Sequence, residues 1–316
     1  MSVIYDKINT REAFGIALSE YAQTDETVFA IGADTTKSMG LVELSKKHPD
    51  RVINNGIAEQ NMMLMGAGMA SCGAKVFVAT YAPFASMRML EQVRTYCAYP
   101  DLDVKIVSGL SGLSGAIEGV THQGIEDVSI LRSIPNMIVV VPADAASTKV
   151  ITKKIAQCKK PVYLRLGRYN VPKVFDDDYT FEIGKANILK DEGSDAAIIC
   201  NGAAVDRAIR AEKLLSEKGY RVWLLEMPCV KPIDEEAIIK AARSTRAVVT
   251  VEENTVIGGL GSAVAEVLSE KAPVLLRRIG IDDEYTESGP HEELMDKYNL
   301  HPEHIAAVTE ELISLK

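Results

Sequence analysis

The sequence has no cluster of basic residues, no cysteine pair at CxxC spacing and no long uninterrupted apolar run. Its 35 Lys and Arg residues against 44 Asp and Glu residues give a net charge of −9, which argues against a surface for nucleic acids or anionic membranes. The five cysteines are odd in number and scattered, so we expect neither a disulfide framework nor a zinc site. The N-terminus lacks a basic region followed by an apolar core, and we expect a cytoplasmic protein.

The chain is long enough for two α/β domains, with 316 residues of which 47% are hydrophobic. Apolar strands such as VFAIGAD and KVFVATY alternate with helical segments, which is typical of doubly wound, mostly parallel sheets. Residues 169–190 contain Pro172 and an acidic run but little periodicity, so we predict a linker there. The predicted domains are residues 1–172 and 190–316.

One helix combines a carboxylate with small and apolar residues, in the stretch NNGIAEQNMMLMGAGMASCG from residue 54 to 73. Asn54 to Gly56 are predicted to form a turn that caps it. Glu59 shares a helical face with Met62 and Met63. Glu59 either reaches water from the first turn, where the helix dipole favours a negative charge, or lies in an apolar pocket and shares a proton with a ligand nitrogen.

Two further features are candidate functional sites. The glycine-rich segment SGLSGLSGAIEGVTHQG, from residue 108 to 124, has neither helical nor strand periodicity and does not form the GxGxxG dinucleotide motif. It carries His122, which is either a surface residue or a catalyst. Tyr81, Phe84 and Met87 are spaced by three, so they form either ordinary core or one apolar wall of a site.

The segments GIAEQNM and THQGIED resemble the C-terminal half of transketolase and of the related deoxyxylulose-phosphate synthase. The resemblance implies that Glu59 hydrogen-bonds N1′ of the aminopyrimidine of thiamine diphosphate and promotes its activation. It also implies that His122 lies beside the reacting carbon and handles protons and hydroxyls of the donor sugar.

The same resemblance assigns Tyr81, Phe84 and Met87 to the positions that hold the aminopyrimidine ring, with Phe84 stacked on it. Met87 departs from the usual tyrosine, although a thioether still packs on a ring edge. Asp34, in GADTTKS, matches the aspartate near the thiazolium of the cofactor.

Substrate binding is implied for Arg11, Ser38 and Arg168, which match the two arginines and the serine that hold the sugar phosphate. Guanidinium groups suit a phosphate because they donate paired hydrogen bonds in one plane. Two positions depart from the family: Leu110 replaces a histidine, and Glu118 replaces an aspartate that reads the donor. We expect these changes to alter which ketose hydroxyls are recognised.

The chain lacks the GDG segment that anchors the diphosphate and its Mg²⁺ in an N-terminal domain of transketolases. The resemblance therefore implies that a partner subunit supplies the metal ligands and that this chain supplies none. We expect a heterotetramer of two copies of this chain with two N-terminal subunits.

The sequence thus predicts the C-terminal subunit of a split transketolase, which moves a two-carbon ketol unit from a ketose phosphate to an aldose phosphate. Leu110 and Glu118 favour the alternative of a non-standard donor, such as a branched or sulfonated ketose. An enzyme like deoxyxylulose-phosphate synthase, the β subunit of a 2-oxo-acid dehydrogenase and a non-catalytic paralogue stay open as further hypotheses.

Overall fold

The computed structural model describes residues 4–191 and 193–316. Residues 1–3 and residue 192, which fall within the two predicted domains, lie outside the described residues. The α-helices are α1 Thr10–Tyr21, α2 Val42–Lys47, α3 Glu59–Ser71, α4 Leu90–Gln92, α5 Asp127–Arg132, α6 Ala145–Gln157, α7 Ala204–Glu217, α8 Glu235–Thr245, α9 Leu260–Lys271, α10 His291–Lys297 and α11 Pro302–Ser314. The strands are β1 Val28–Gly32, β2 Val52–Asn54, β3 Lys75–Tyr81, β4 Val104–Gly109, β5 Ile138–Val140, β6 Val162–Arg165, β7 Asn187–Lys190, β8 Ala196–Cys200, β9 Val222–Glu226, β10 Cys229–Lys231, β11 Ala247–Thr255 and β12 Leu275–Ile281.

The first sheet has seven strands in the order β10-β5-β6-β4-β3-β1-β2. All neighbouring pairs are parallel except β10 with β5. The second sheet has five strands in the order β12-β11-β8-β9-β7, and only β7 runs antiparallel to its neighbour. The predicted α/β class with two mostly parallel sheets is confirmed. The proposed domain limits at 172 and 190 stay a prediction.

Both faces of each sheet are covered by apolar side chains. In β3, Val76 and Val78 join one buried cluster, whereas Phe77 and Ala79 join another. In β8 the same alternation divides residues 196–200 between two clusters. Strands buried on both faces read as continuous apolar runs, which is why these segments are recognisable in the sequence. None of the helices in the described ranges is long and apolar enough to cross a membrane.

Helix α3 packs its predicted face against the first sheet, and Glu59, Met62, Met63 and Gly66 are all buried. A Cβ atom added at Gly66 would lie 2.8 Å from Cγ2 of Val78, so this position needs glycine for close approach of the helix.

The predicted cap of this helix is wrong. The N-cap is Ala58, which makes no side-chain capping bond. Asn54 instead bonds Asp34, and Asn55 donates its side-chain amide to the carbonyl of Ala58 at 2.8 Å. Both asparagine side chains are therefore engaged elsewhere, and the helix begins at Glu59.

Further local predictions also need correction. The segment TREAFGIALSEYAQ predicts a helix capped by Thr10, whereas α1 is capped by Asn9, whose side chain accepts from the backbone N–H of Glu12. The spacing of Met87, Leu90, Glu91 and Arg94 predicts one helix over residues 84–98. The segment instead contains two π-helical turns on either side of α4, at Phe84–Arg88 and Val93–Ala98. The segment 108–124, predicted without periodic structure, includes the 3₁₀ turn Gly112–Glu118.

Candidate functional site

The candidate residues follow the carboxyl ends of five strands in the first sheet. Asp34 and Ser38 follow β1, Glu59 follows β2, Phe84 follows β3, the glycine-rich segment follows β4, and Arg168 follows β6. These strands are parallel neighbours, so their carboxyl ends meet along one edge of the sheet. That edge is where open α/β sheets bind ligands.

Glu59 lies at one end of this edge and is only 2% exposed. Its two carboxylate oxygens each accept a hydrogen bond from Nη1 of Arg88, at 3.0 Å. The guanidinium of Arg88 also stacks on Phe84, with 4.1 Å from Cζ to the ring centroid. Glu59 is therefore buried, as one of the two interpretations requires, and its charge is compensated by a side chain that sequence reasoning had not considered.

Phe84 belongs to an aromatic cluster with Tyr81 and His122. The three ring centroids are 5.7 to 6.0 Å apart. His122 thus reaches the end of β3 from the glycine-rich segment, and Thr121 Oγ1 lies 2.9 Å from its Nδ1 atom. Met87 does not join this cluster through its side chain, which is 46% exposed. The proposed wall is formed by Tyr81, Phe84 and His122, because the π-helical turn directs Met87 outwards.

A cleft of about 360 Å³ adjoins Tyr81 and is lined by Arg11 and Ser38, two of the three predicted phosphate-binding residues. The Tyr81 hydroxyl donates to Ser38 Oγ at 3.0 Å. Arg11 donates from Nη1 to the carbonyl of Ser38 at 2.6 Å and from Nη2 to the carbonyl of Arg168 at 3.2 Å. Burial, together with the charge of Arg168, lowers the pKa of Arg11. Lys37 also lines the cleft and adds a further cation.

Arg11 is held in place by the start of its helix. Thr10 Oγ1 donates to the carbonyl of Gly167 at 3.2 Å and accepts from its N–H at 3.0 Å. This reciprocal pair joins α1 to the segment that carries Arg168. The Nε atom of Arg11 is buried and has no hydrogen-bond partner among the described residues.

Leu110 and Glu118, the two positions expected to depart from the family, both lie in the segment after β4. Glu118 forms an ion pair with Arg168. Partial burial opposes ionisation of this carboxyl, but the hydrogen bond from Arg168 and its charge outweigh burial and lower the pKa of Glu118. Leu110 is 3% exposed and has a φ of 57°, a left-handed conformation that is costly for a branched side chain. Its position at the end of β4 is therefore maintained by the surrounding structure.

Asp34 also adopts a positive φ, 57°, and pairs with Asn54 across the ends of β1 and β2. Its N–H donates to Asn54 Oδ1 at 3.0 Å, and Asn54 Nδ2 donates to Asp34 Oδ1 at 2.6 Å. This reciprocal pair fixes an exposed carboxylate at the same sheet edge.

The glycine-rich segment is held by the C-terminal half of the chain. The buried Gln123 side chain donates to the carbonyls of Ala116 and Glu287, and accepts from the hydroxyl of Thr286. The N–H of Leu113 donates to Glu253 Oε1 at 2.7 Å. Contacts from beyond residue 250 therefore set the position of the segment that carries Glu118 and His122.

Sequence reasoning missed Arg88 and Gln123. A signal for Arg88 was present, since a cation four residues after Phe84 shares its helical face. Gln123 gives no comparable signal, because two of its three partners, Thr286 and Glu287, lie more than 160 residues away along the chain. Within residues 4–191 and 193–316, no cluster of three His, Cys, Asp or Glu side chains has the arrangement of a metal site.

Comparisons with known proteins agree on the family. A model of the transketolase pyrimidine-binding domain matches residues 6–173, and a model of the transketolase C-terminal domain matches residues 184–305. A subunit of the apulose-4-phosphate transketolase of Phocaeicola vulgatus is 40% identical, over 97% of this chain and 98% of its own. A 6-deoxy-6-sulfo-D-fructose transketolase subunit of a Clostridium species is 38% identical, over 97% and 95%.

A solved structure described as a split gene transketolase, inactive beta4 tetramer, superposes with a TM-score of 0.91 at 43% identity and covers 98% of this chain and 99% of its own. The chain belongs to the transketolase family, in which it corresponds to the pyrimidine-binding and C-terminal domains, as the C-terminal subunits of split transketolases do.

Proposed function

We propose that this chain is one subunit of a thiamine-diphosphate-dependent enzyme that transfers a two-carbon ketol unit from a ketose to an aldose phosphate. The observation that carries the proposal is the unbroken series of contacts from Glu59, through the aromatic cluster, to Arg11 and Arg168. This series joins a buried carboxylate, which the cofactor needs, to a cationic cleft, which a phosphorylated sugar needs.

The residues fit the aminopyrimidine half of the cofactor. Glu59 offers a buried carboxylate to a ring nitrogen, and Phe84 offers a flat apolar surface. When bound, the cofactor supplies the nucleophilic carbon and the electron sink for breaking and forming carbon–carbon bonds. The protein then has to exchange a proton at Glu59, orient the donor hydroxyls beside His122 and hold the phosphate with Arg11 and Arg168.

The diphosphate half needs a metal ion and its oxygen ligands, for which we propose an N-terminal partner subunit. The names of the relatives as subunits and as a split-gene protein support this assignment. We further propose a heterotetramer with two copies of each chain, with Mg²⁺ held by the partner.

Calorimetry with thiamine diphosphate and Mg²⁺ tests this proposal on the chain alone and on the chain co-purified with its partner. We expect tight binding and ketol transfer only for the assembled pair. Submicromolar binding by the chain alone would contradict the need for a partner, and an assembled pair without transfer activity would contradict the reaction.

A second candidate is the same reaction with a non-standard donor, which Leu110 and Glu118 favour. Leu110 offers no hydrogen bond to a sugar hydroxyl, and an unpaired buried hydroxyl costs about 1–3 kcal/mol. The relatives named for apulose 4-phosphate and for a sulfofructose support donors of this kind.

A panel of donors given to the assembled pair with one aldose phosphate acceptor decides between the candidates. If xylulose 5-phosphate has the highest kcat/KM by a wide margin, the ordinary donor is correct. If a branched or sulfonated ketose is preferred, Leu110→His combined with Glu118→Asp is expected to shift the preference towards xylulose 5-phosphate. Histidine tolerates the positive φ at position 110 better than leucine does.

A further inference from the structure

Arg88 makes both of its contacts at the place where the proposed function requires a ligand ring. Nη1 lies 3.0 Å from each oxygen of Glu59, and the Cζ atom of the guanidinium lies over the Phe84 ring, 4.1 Å from its centroid. A heteroaromatic ring that hydrogen-bonds Glu59 while stacking on this face of Phe84 needs the space that the guanidinium fills. Guanidinium and aminopyrimidine share the properties that both contacts demand, a flat delocalised face and N–H groups in its plane.

The exposures of the two partners are unequal. Glu59 is 2% exposed, whereas the Arg88 side chain is 46% exposed and covers the carboxylate from the solvent side. The arginine lies at the end of a π-helical turn, where the N–H of Met89 donates to the carbonyl of Phe84. Because nearly half of the Arg88 side chain is exposed, it can rotate into water, whereas the buried Glu59 cannot leave its pocket without moving the start of α3.

We propose that Arg88 is a displaceable stand-in for the aminopyrimidine ring. Without bound cofactor, Arg88 compensates the buried charge of Glu59, and its side chain rotates into solvent when the cofactor binds. This inference rests on the proposed function. It predicts that Arg88 lowers the apparent affinity for thiamine diphosphate, because each binding event must first displace the side chain.

The two contacts of Arg88 also make the site selective among ligands. A ligand that only stacks on Phe84, or only hydrogen-bonds Glu59, leaves one of the two broken contacts of Arg88 without replacement. A ligand that supplies both restores the buried carboxylate and the covered ring together. The space between Glu59 and Phe84 therefore favours flat rings that carry a donor or protonated nitrogen at the edge.

The test is cofactor binding by the assembled pair, measured by calorimetry with thiamine diphosphate and Mg²⁺. Arg88→Met removes the charge and the plane but keeps the length, and we expect its Kd to fall at least threefold below that of the wild type. Arg88→Lys keeps the charge without the plane and is expected to lie between the two. Arg94→Met, which removes an exposed arginine from the same helical region, is the control and is expected to leave Kd unchanged.

The thermal unfolding of the same samples gives a second readout. Without cofactor, Arg88→Met leaves Glu59 buried and uncompensated, so its Tm is expected to fall, and its rise on cofactor binding is expected to exceed that of the wild type. Weaker binding by Arg88→Met would show that Arg88 contacts the bound cofactor, and equal Kd values would show an ordinary ion pair. Either result would contradict the displacement of Arg88 by the cofactor but would leave the proposed function intact. Absence of binding by the wild-type pair overturns both.

Discussion

Glu118 forms an ion pair with Arg168, so the residue that departs from the family neutralises one of the two arginines assigned to the sugar phosphate. The hydrogen bond that Arg168 donates to Glu118, together with the negative charge of Glu118, raises the pKa of Arg168, which stays fully protonated. A phosphate that binds here must compete with a carboxylate already in place. This competition was not predictable from the sequence, where the two residues are 50 positions apart.

Replacing Glu118 with Gln tests that competition. The amide keeps the size of the side chain but removes its charge. The positive charge of Arg168 is then uncompensated and attracts a donor phosphate more strongly. We expect KM for phosphorylated donors to fall severalfold, and the fall to shrink as ionic strength rises. Glu235→Gln, which breaks a comparably exposed surface pair with Lys271, serves as the control. A rise in KM with an unchanged salt dependence would assign Glu118 to recognition of sugar hydroxyls instead.

Replacing Glu59 with Gln tests the proton exchange assigned to this carboxyl. The amide fits the same pocket but cannot exchange a proton with a ring nitrogen, so turnover of the assembled pair is expected to fall by about 10²–10⁴. Far-UV circular dichroism is expected to be unchanged. Glu226→Gln, which replaces another buried carboxyl within the second sheet, is expected to keep activity. Activity of the Glu59 variant within about tenfold of wild type would remove Glu59 from the mechanism.

The fold was largely predictable because its signals are local. Continuous apolar runs such as residues 196–200 indicate strands buried on both faces, and their alternation with helices indicates parallel sheets. The antiparallel strand β10 was not predictable. It has only three residues, and it pairs with β5 of the first sheet although it lies close behind β9 of the second.

The site was predictable where a residue stands directly after a strand and not where its partner is remote. Ser38 and Glu59 lie where the sequence indicates, because strand ends fix the sheet edge. The aromatic wall was only partly predictable. Its spacing of three assumes a regular helix, whereas a π-helical turn exposes Met87, and His122 completes the wall from another segment.

Replacing Gln123 with Glu tests whether its hydrogen bonds to the C-terminal half of the chain stabilise the glycine-rich segment. A carboxylate cannot donate to the carbonyls of Ala116 and Glu287, so one buried and one partly buried acceptor would lose their partner. We expect the free energy of unfolding to fall by about 1–3 kcal/mol, measured by urea denaturation of the chain. Thr286→Ser, which keeps the hydroxyl that donates to Gln123, is expected to be nearly neutral. A change below about 0.5 kcal/mol would show that water replaces these bonds.

The second sheet contains a carboxyl whose ionisation opposes folding. Glu226, at the end of β9, is fully buried and accepts hydrogen bonds from Tyr179 and Asn187. Burial raises its pKa from 4.5 to about 8, and the two hydrogen bonds only partly offset this effect. Between these values the folded chain retains a proton that the unfolded chain has lost. The contribution of Glu226 to stability is therefore present below about pH 4.5 and is lost as the pH rises to about 8.

Glu226→Gln removes this titration, because an amide stays neutral and can still accept from Tyr179 or Asn187. We expect the difference in unfolding free energy, variant minus wild type, to rise between pH 5 and pH 8 by at least about 1 kcal/mol, since each pKa unit corresponds to about 1.4 kcal/mol. Urea denaturation at several pH values measures this slope, and Glu236→Gln, which alters an exposed carboxyl, is the control. Parallel pH profiles of wild type and Glu226→Gln would show that the folded chain ionises Glu226 at no cost, through water entry or local opening around β9.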